Sequence, residues 1–337
     1  MTTRPDDETK YTPKAPGAFE RGPNNLQHWV KEGGDFPPAS GRYHMFINYG
    51  CGWSHQVMLA RVAKGLQNVV SMSHTGLKLL GARRTPEYRG WSLPEDPTGN
   101  GFASAYDVYN SNLDYGQAQL TVPILFDKES KRVVSNDPAH ILLMLNSSFD
   151  AWAERKEDFY PVDWQEEIER WNGIIFPGIN DGVYRCWFGG TDEAYKEGFD
   201  GLQSALAMVE KQLASSSYLC GEKLTLADLR AFPHLFRFDV IYHELMLREP
   251  HGPMLADTFP AIVAWLKRLF EDPERGLQAT CDLEVATRFY MQGPSSKLTQ
   301  DDCDKRHAEF KYSWMPSAEE LVAKRAAEGV HPDCFVK

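Results

Sequence analysis

The sequence predicts an α+β domain followed by an all-helical domain. Two observations support this: β-like runs occur only between residues 42 and 135, and helical patterns alone dominate after residue 147. A chain of 337 residues, 42% hydrophobic and 25% charged, is long enough for two ordinary globular domains. We expect four segments, with boundaries at 1–41, 42–147, 150–290 and 291–337.

The first domain begins with a β-α-β unit. Residues 42–49 (RYHMFINY) are rich in aromatic and β-preferring types and end before Gly50, which predicts a strand. Residues 54–66 show helical spacing with a glycine near their end, and residues 68–74 alternate as a second strand.

A hairpin and a helix complete this domain. After a loop-like stretch from 75 to 119, the runs 119–127 and 131–135 flank the turn sequence DKES. An Asp-Pro pair then starts a helix over 137–146. The order β-α-β, loop, β-β-α is the thioredoxin topology, so residues 42–147 are predicted to form a thioredoxin-like domain.

The second domain is predicted to contain only helices. Their predicted ranges are 163–176, 192–214, 225–247 and 258–270. The segment 1–41 is rich in Pro, Gly and charge and is predicted to be an irregular extension lying on the fold. The segment 291–337 is polar and irregular, with one charged helix candidate at 317–328.

Composition excludes several classes of function. A formal net charge of −11, with no local Lys/Arg cluster, argues against nucleic-acid binding. We expect no membrane span and no signal peptide, hence a cytoplasmic protein. The six widely spaced cysteines are predicted to be thiols, and ten scattered histidines without an H-x-x-x-H pair predict no metal site.

Cys51 is the predicted reactive centre, because it lies between a strand end and a helix start in NYGCGWSH. The N–H groups and positive dipole end of a helix favour a thiolate there. Residue 54 is Ser, so a covalent intermediate on Cys51 must be resolved by another molecule, and glutathione is the abundant cytosolic choice. The alternative is a buried structural cysteine.

Pro123 and Asp137 are further candidates. A thioredoxin-like fold places a cis-proline beside the reactive sulfur, and Val122-Pro123 stands at the start of a strand. The backbone there is then available to pair with an extended peptide such as glutathione. Asp137 either caps a helix, receives a γ-glutamyl ammonium, or does both.

Aromatic residues are the remaining candidates. Tyr184, Trp187, Tyr242 and Tyr290 are suited to line a pocket for a flat substrate, although each alone is more typical of a core. Trp53 and Trp91 are likewise suited either to line the pocket or to pack in the core.

The residues also resemble a known family. GRYHMFINYGCGWSHQVMLARVAKGL is similar to the Xi-class glutathione transferases, the glutathionyl-hydroquinone reductases, whose segment usually reads G-R-Y-H followed by C-P-W-A-H-R. DPTG, TVPIL, VVSND, NDGVY, YLCGEKLTLADLR and RFDVIY follow in family order, and the resemblance covers about residues 18–292.

The resemblance implies a function. Members of this family remove glutathione reductively from glutathionylated hydroquinones through a cysteine thiolate, with glutathione as co-substrate and no metal. Cys51 is then the nucleophile. The other implied residues are Trp53, Trp91, Gln119, Val122, Pro123 and Asp137 for glutathione, and Tyr184, Tyr242 and Tyr290 for the hydroquinone. We expect a homodimer.

Five positions depart from the family pattern. Gly52 replaces the usual proline, Gln56 and Gln119 replace arginines, and Asp137-Pro138 replaces Glu-Ser. Such losses of hydrogen-bond donors leave open a divergent enzyme using a different thiol or substrate, or a non-catalytic binding protein on the same scaffold. The pattern C-G-W-S also occurs in monothiol glutaredoxins that hold an iron–sulfur cluster with glutathione, which is a further alternative.

Overall fold

The computed structural model of the chain describes residues 15–22, 24, 26–81, 85–111, 120–291, 305, 312 and 314–315. Its contacts divide these residues into two compact units. The sheet unit contains residues 24–157 and 272–291, and the helical unit contains 15–22 and 158–271 together with 305, 312 and 314–315. The predicted helix at 317–328 lies outside the described residues.

The sheet unit contains a four-stranded mixed sheet. Its strands and helices, in chain order, are β1 (Tyr43–Ile47), α1 (Gly52–Ala63), β2 (Ser71–His74), β3 (Leu79–Leu80), β4 (Gly90–Trp91), α2 (Ala105–Asn110), β5 (Ile124–Asp127), β6 (Arg132–Ser135) and α3 (Pro138–Ser147). The sheet order is β2-β1-β5-β6, with β1 parallel to β2 and antiparallel to β5. Strand β6 is antiparallel to β5. This is the predicted thioredoxin topology.

Hydrophobic packing explains why these segments form a layered unit. All five residues of β1 are buried, as are all four of β5. Phe46 of β1 packs edge-on against Phe126 of β5, with ring centroids 6.0 Å apart. Leu26 and Val30 of the predicted N-terminal extension are also buried in this unit, so part of that segment lies on the fold as expected.

Two features of the sheet unit differ from the sequence expectation. The predicted long loop contains the small antiparallel pair β3–β4, in which Leu79 faces Trp91. Runs of two residues are too short to give a periodic signal. The unit also includes residues 272–291, of which the predicted boundaries assigned 272–290 to the helical domain and residue 291 to the C-terminal extension.

Helices make up the helical unit. They are α4 (Gln165–Ile175), α5 (Gly182–Phe188), α6 (Asp192–Leu213), α7 (Leu226–Phe236), α8 (His243–Met246), α9 (Leu255–Thr258) and α10 (Pro260–Phe270). A further helix, α11 (Leu283–Met291), belongs to the sheet unit. The capping box predicted at the start of α7 is present, with Thr225 and Asp228 reciprocally bonded.

The helix predicted over 225–247 is interrupted. Helix α7 ends at Phe236, a π-helical turn spans Phe238–Tyr242, and α8 follows. The turn is buried throughout, and the Asp239 carboxylate accepts hydrogen bonds from the Leu255 and Ala256 N–H groups. Asp239 thus binds a segment further along the chain. The helical periodicity of residues 225–247 could not indicate this contact.

Candidate active site

Cys51 occupies the N-cap position of α1, directly after the turn that follows β1. Asn48 shapes this turn: its Oδ1 accepts from the Gly50 N–H at 2.8 Å, and its Nδ2 donates to Thr75 Oγ1 at 2.9 Å. The Cys51 N–H donates to the Asn48 carbonyl at 3.0 Å. Asn48 therefore fixes the cysteine, a role that the short polar side chain of Asn in a turn suits well.

Cys51 is buried but keeps a small solvent-exposed fraction of 7%. Its side chain makes no helix-capping hydrogen bond within the described part of the chain. It lies instead at the N-terminal end of α1, where the helix dipole concentrates positive potential. Sγ is 3.7 Å from the Val122 carbonyl oxygen.

The Val122-Pro123 peptide bond is cis, as the sequence predicted. It immediately precedes β5, and the next residue, Ile124, pairs with Phe46 of β1. The proline therefore lies at the sheet edge where β1 ends and α1 begins. A proline before the first paired residue costs the sheet no hydrogen bond.

Asp137 lies at the same edge of the sheet. Strands β1 and β6 run in the same direction, because each is antiparallel to β5 between them. Their carboxyl ends therefore meet at one edge, which carries Cys51 after β1 and Asp137 after β6. The sheet topology brings together the three residues that the sequence separated by up to 86 positions.

Asp137 is the N-cap of α3 and is 5% exposed. One carboxylate oxygen accepts from the Ala139 N–H at 2.9 Å and the His140 N–H at 3.4 Å. The other accepts from Gln27 Nε2 at 3.1 Å. The capping role that was one of two predicted alternatives is thus present, and it holds the carboxylate in a fixed orientation.

An aromatic pair covers this part of the sheet unit. The Trp91 ring stacks on Phe289 with centroids 4.8 Å apart, and both pack with the apolar cluster that includes Cys51 and Val122. Trp53, on the first turn of α1, packs against the same cluster. Both predicted tryptophans are therefore near the candidate centre.

Phe289 is a site residue that the sequence analysis missed. A Cβ added to Gly50 would lie 2.2 Å from the Phe289 Cβ, so Phe289 packs directly on the backbone beside Cys51. Any larger residue at position 50 would displace α11. Nothing local signals this contact, because Phe289 and Gly50 lie far apart in the chain.

Helix α1 also holds the segment that carries Phe289. His55, one turn beyond Cys51, places Nε2 2.8 Å from Thr280 Oγ1 and 3.8 Å from Cys281 Sγ. All three residues are buried. Tyr290, 5% exposed, follows Phe289 on α11 and is in the sheet unit.

The other two predicted tyrosines lie in the helical unit. Tyr184 of α5 and Tyr242 of the π-helical turn have ring centroids 6.4 Å apart. The Arg21 guanidinium lies 4.9 Å from the Tyr184 ring centroid and pairs with Asp181 at 2.6 Å. These two tyrosines therefore belong to one aromatic cluster, in which Tyr242 is fully buried. Gln119 lies outside the described residues.

Comparison with known proteins agrees with the geometry. Residues 192–268 match the glutathione S-transferase C-terminal domain family. The chain is 35% identical over 237 residues to glutathionyl-hydroquinone reductase PcpF of Sphingobium chlorophenolicum, covering 69% of this chain and 73% of PcpF. It is 32% identical over 302 residues to glutathionyl-hydroquinone reductase YqjG of Escherichia coli strain K12, covering 85% and 88%.

The chain belongs to the Xi-class glutathione transferase family. The solved structure of glutathione S-transferase Xi from Phanerochaete chrysosporium superposes with a TM-score of 0.74 at 28% identity, covering 81% of this chain and 92% of that one. The glutathione-bound structure of YqjG gives 0.71 at 28% identity, covering 79% and 87%.

This Xi-class membership confirms the predicted resemblance and fold class. The chain is an enzyme of the glutathione transferase type, and glutathione is the co-substrate that its relatives support. Among the described residues, no helix is both long and apolar enough to cross a bilayer.

Proposed function

We propose that this Xi-class enzyme is a monothiol reductase in which Cys51 removes glutathione from glutathionylated hydroquinones. The supporting observation is the shared sheet edge, with Cys51 at the start of α1, the cis Val122-Pro123 bond before β5 and Asp137 at the start of α3. The names of PcpF and YqjG supply the substrate class.

The first step forms a mixed disulfide. The Cys51 thiolate attacks the glutathione sulfur of the adduct, and the bond between that sulfur and the aromatic carbon breaks. The electron pair of that bond stays with the ring, which takes up one proton and leaves as hydroquinone. The two sulfurs are thereby oxidised to a disulfide.

The second step regenerates the enzyme. A second glutathione thiolate attacks the mixed disulfide, releasing oxidised glutathione and the Cys51 thiolate. Position 54, where a dithiol oxidoreductase has its second cysteine, is Ser54, whose buried hydroxyl accepts from the Asn48 N–H at 3.2 Å. Ser54 is thus part of the turn that holds Cys51 and offers no resolving thiol.

Asp137 and the Val122 backbone are the proposed glutathione contacts. A buried carboxylate with a fixed orientation suits the γ-glutamyl ammonium. The backbone before the cis-proline suits the extended peptide of glutathione. Trp91 and Phe289 give the sulfur an apolar wall, and Tyr290, which lies in the same unit as Cys51, is proposed to contact the aromatic product.

One observation favours a second candidate, the same chemistry with a different thiol. Pro138 is the first residue of α3 and has no N–H to donate, where the family pattern has Ser. A thiol co-substrate that lacks the γ-glutamyl carboxylate would lose no hydrogen bond from the missing N–H of Pro138. Steady-state comparison of glutathione with cysteine and N-acetylcysteine separates the two candidates.

Turnover of a glutathione adduct of a 1,4-hydroquinone tests the proposal. With wild-type enzyme and glutathione, chromatography should find hydroquinone and oxidised glutathione in equal amounts. Cys51→Ser should lose on the order of 10³-fold or more in kcat/KM. Cys220→Ser, equally buried but in the helical unit, is the control and should stay within about threefold of wild type. Full activity of Cys51→Ser would reject the proposal.

A further inference from the structure

Three metal-ligating side chains meet in the helical unit, at a place that the proposed reaction does not use. They are His243 and Glu244 at the start of α8 and His251 in the loop after it. One ligand atom from each lies within 4.8 Å of the other two. The sequence predicted no metal site, because its ten histidines are scattered and include no H-x-x-x-H pair.

Both imidazoles direct the same nitrogen at one carboxylate oxygen. His243 Nδ1 lies 3.2 Å from Glu244 Oε1, and His251 Nδ1 lies 3.6 Å from the same oxygen. Around a tetrahedral Zn²⁺, with ligand bonds of about 2.0–2.1 Å, neighbouring ligand atoms are about 3.3 Å apart. The two observed separations are close to this value.

The opposite nitrogens face oxygen atoms, and that of His243 is within hydrogen-bond distance of its partner. His243 Nε2 lies 2.9 Å from the Gly252 carbonyl oxygen, and His251 Nε2 lies 3.4 Å from Glu249 Oε1. A carbonyl oxygen only accepts, so His243 Nε2 carries a hydrogen, and in that tautomer Nδ1 can present its lone pair to a metal ion. Histidines that ligate metals usually donate their other N–H to a carbonyl or carboxylate in this way.

The surrounding chain anchors the loop between α8 and His251. Arg248 donates to Asp192 Oδ1 at 2.9 Å and to the Gly189 carbonyl at 2.7 Å. Gly252 adopts a positive φ of 79°, and a Cβ there would lie 2.8 Å from the Phe199 ring. The ligand set is therefore positioned by contacts independent of any ion.

We propose that His243, Glu244 and His251 form a binding site for a divalent transition-metal ion of the Zn²⁺ type. Two imidazoles and one carboxylate suit Zn²⁺ or Co²⁺ better than Mg²⁺ or Ca²⁺, which prefer oxygen ligands alone. Glu244 and His251 keep 18% and 19% of their side-chain surface exposed, which lets water complete a four-coordinate site.

Metal titration of the untagged full chain tests this site. Cys51→Ser serves as the parent, so that the proposed reactive cysteine contributes no thiolate ligand. Co²⁺ titrated into EDTA-treated parent should give visible ligand-field bands that saturate at one ion per chain and disappear when Zn²⁺ is added. X-ray absorption of the Zn²⁺ form should show nitrogen and oxygen ligands without sulfur.

Variants locate the bound ion. His251→Gln and Glu244→Gln should each weaken Zn²⁺ binding by at least about tenfold. His28→Gln, which changes a half-buried histidine in the sheet unit, should bind as the parent does. Zn²⁺ should also raise the melting temperature of the parent but not of His251→Gln. A parent that takes up no ion, or a folded His251→Gln that binds as tightly as the parent, would overturn the proposal.

Discussion

Cys51 and Cys220 are buried to almost the same extent, at 7% and 8% exposure, and each lies near the start of a helix. Their surroundings differ. At α7 the Asp228 carboxylate accepts from the Leu219 and Thr225 N–H groups, so a fixed negative charge already occupies the helix start. At α1 the N-cap is the cysteine itself.

The carboxylates near the start of α7 affect the pKa of the Cys220 thiol. Burial, assisted by the nearby Asp228 and Glu167 carboxylates, raises the pKa of the Cys220 thiol to about 12. Burial likewise raises the pKa of Cys186 to about 12. Similar burial therefore does not make the two sites equivalent. We expect Cys51 to be the more reactive thiol, because the N-terminus of α1 beside its sulfur carries no capping carboxylate, whereas that of α7 does.

The largest expected effect is on thiol alkylation. At pH 7.5 a thiol of pKa about 12 is ionised in roughly one molecule in 30,000, so Cys220 should be almost inert. We expect iodoacetamide to label Cys51 on the order of 10³-fold faster in the folded protein. Peptide-resolved mass spectrometry over a time course measures both rates. Equal rates would break the comparison.

The two helix-start aspartates give the next largest effect. Asp228 accepts from the Leu219 and Thr225 N–H groups and from Trp265 Nε1 at 3.1 Å, so an amide in its place would oppose one donor with another. Asp228→Asn should lower the free energy of unfolding by about 2–4 kcal/mol. Asp137→Asn should change it by less than about 0.5 kcal/mol, because Asn caps helices as well as Asp and the exposed Gln27 amide, which donates to the second carboxylate oxygen, can turn to present its own oxygen. Urea unfolding at pH 7.5 measures both, and equal losses would contradict the distinction.

Each unit also contains a buried histidine whose pKa is lowered by burial. These are His44 in the sheet unit and His234 in the helical unit. For His44 the value falls from 6.5 to about 3. The unfolded chain therefore binds a proton between pH 6.5 and 3 that the folded chain does not. Stability from this residue is full above pH 6.5 and decreases as the pH falls.

At pH 5 that loss should be about 2 kcal/mol. The variant His44→Gln keeps hydrogen-bonding groups for Ser71 and Ser73, which lie 2.8 Å from the two ring nitrogens, but does not titrate. The fall in unfolding free energy from pH 7.5 to 5 should be smaller in His44→Gln by this amount. An unchanged fall would show that His44 does not control the acid sensitivity.

The smallest expected effect concerns co-substrate affinity. Asp137→Asn preserves the helix cap but removes the charge proposed to receive the γ-glutamyl ammonium, so KM for glutathione should rise about 5- to 10-fold with stability unchanged. Initial-rate measurements at fixed hydroquinone adduct test this. An unchanged KM would restrict Asp137 to its capping role.

The sequence was sufficient for what depends on local pattern. Strand alternation, the Asp-Pro helix start and the strand–Cys–helix order predicted the sheet topology, the cap on α3 and the position of Cys51. The cis bond at Pro123 was also predictable, because a thioredoxin-like fold places a cis-proline at the start of this strand, beside the reactive sulfur. These are short-range signals that tertiary contacts did not override.

Long-range contacts were not predictable. The stack of Trp91 on Phe289 joins residues almost 200 positions apart. The grouping of residues 272–291 with the sheet unit depends on contacts such as His55 with Thr280, which no periodicity reports. The meeting of His243, Glu244 and His251 requires the irregular loop after α8, whose path is set by Arg248 and Gly252.

The most direct test of Cys51 as the glutathione-accepting nucleophile is mass spectrometry of the folded protein after treatment with oxidised glutathione. We expect one adduct of about 305 Da per chain, mapped to the Cys51 peptide, removed by excess glutathione and absent from Cys51→Ser. An adduct on another cysteine while Cys51 stays unmodified would contradict Cys51 as the nucleophile.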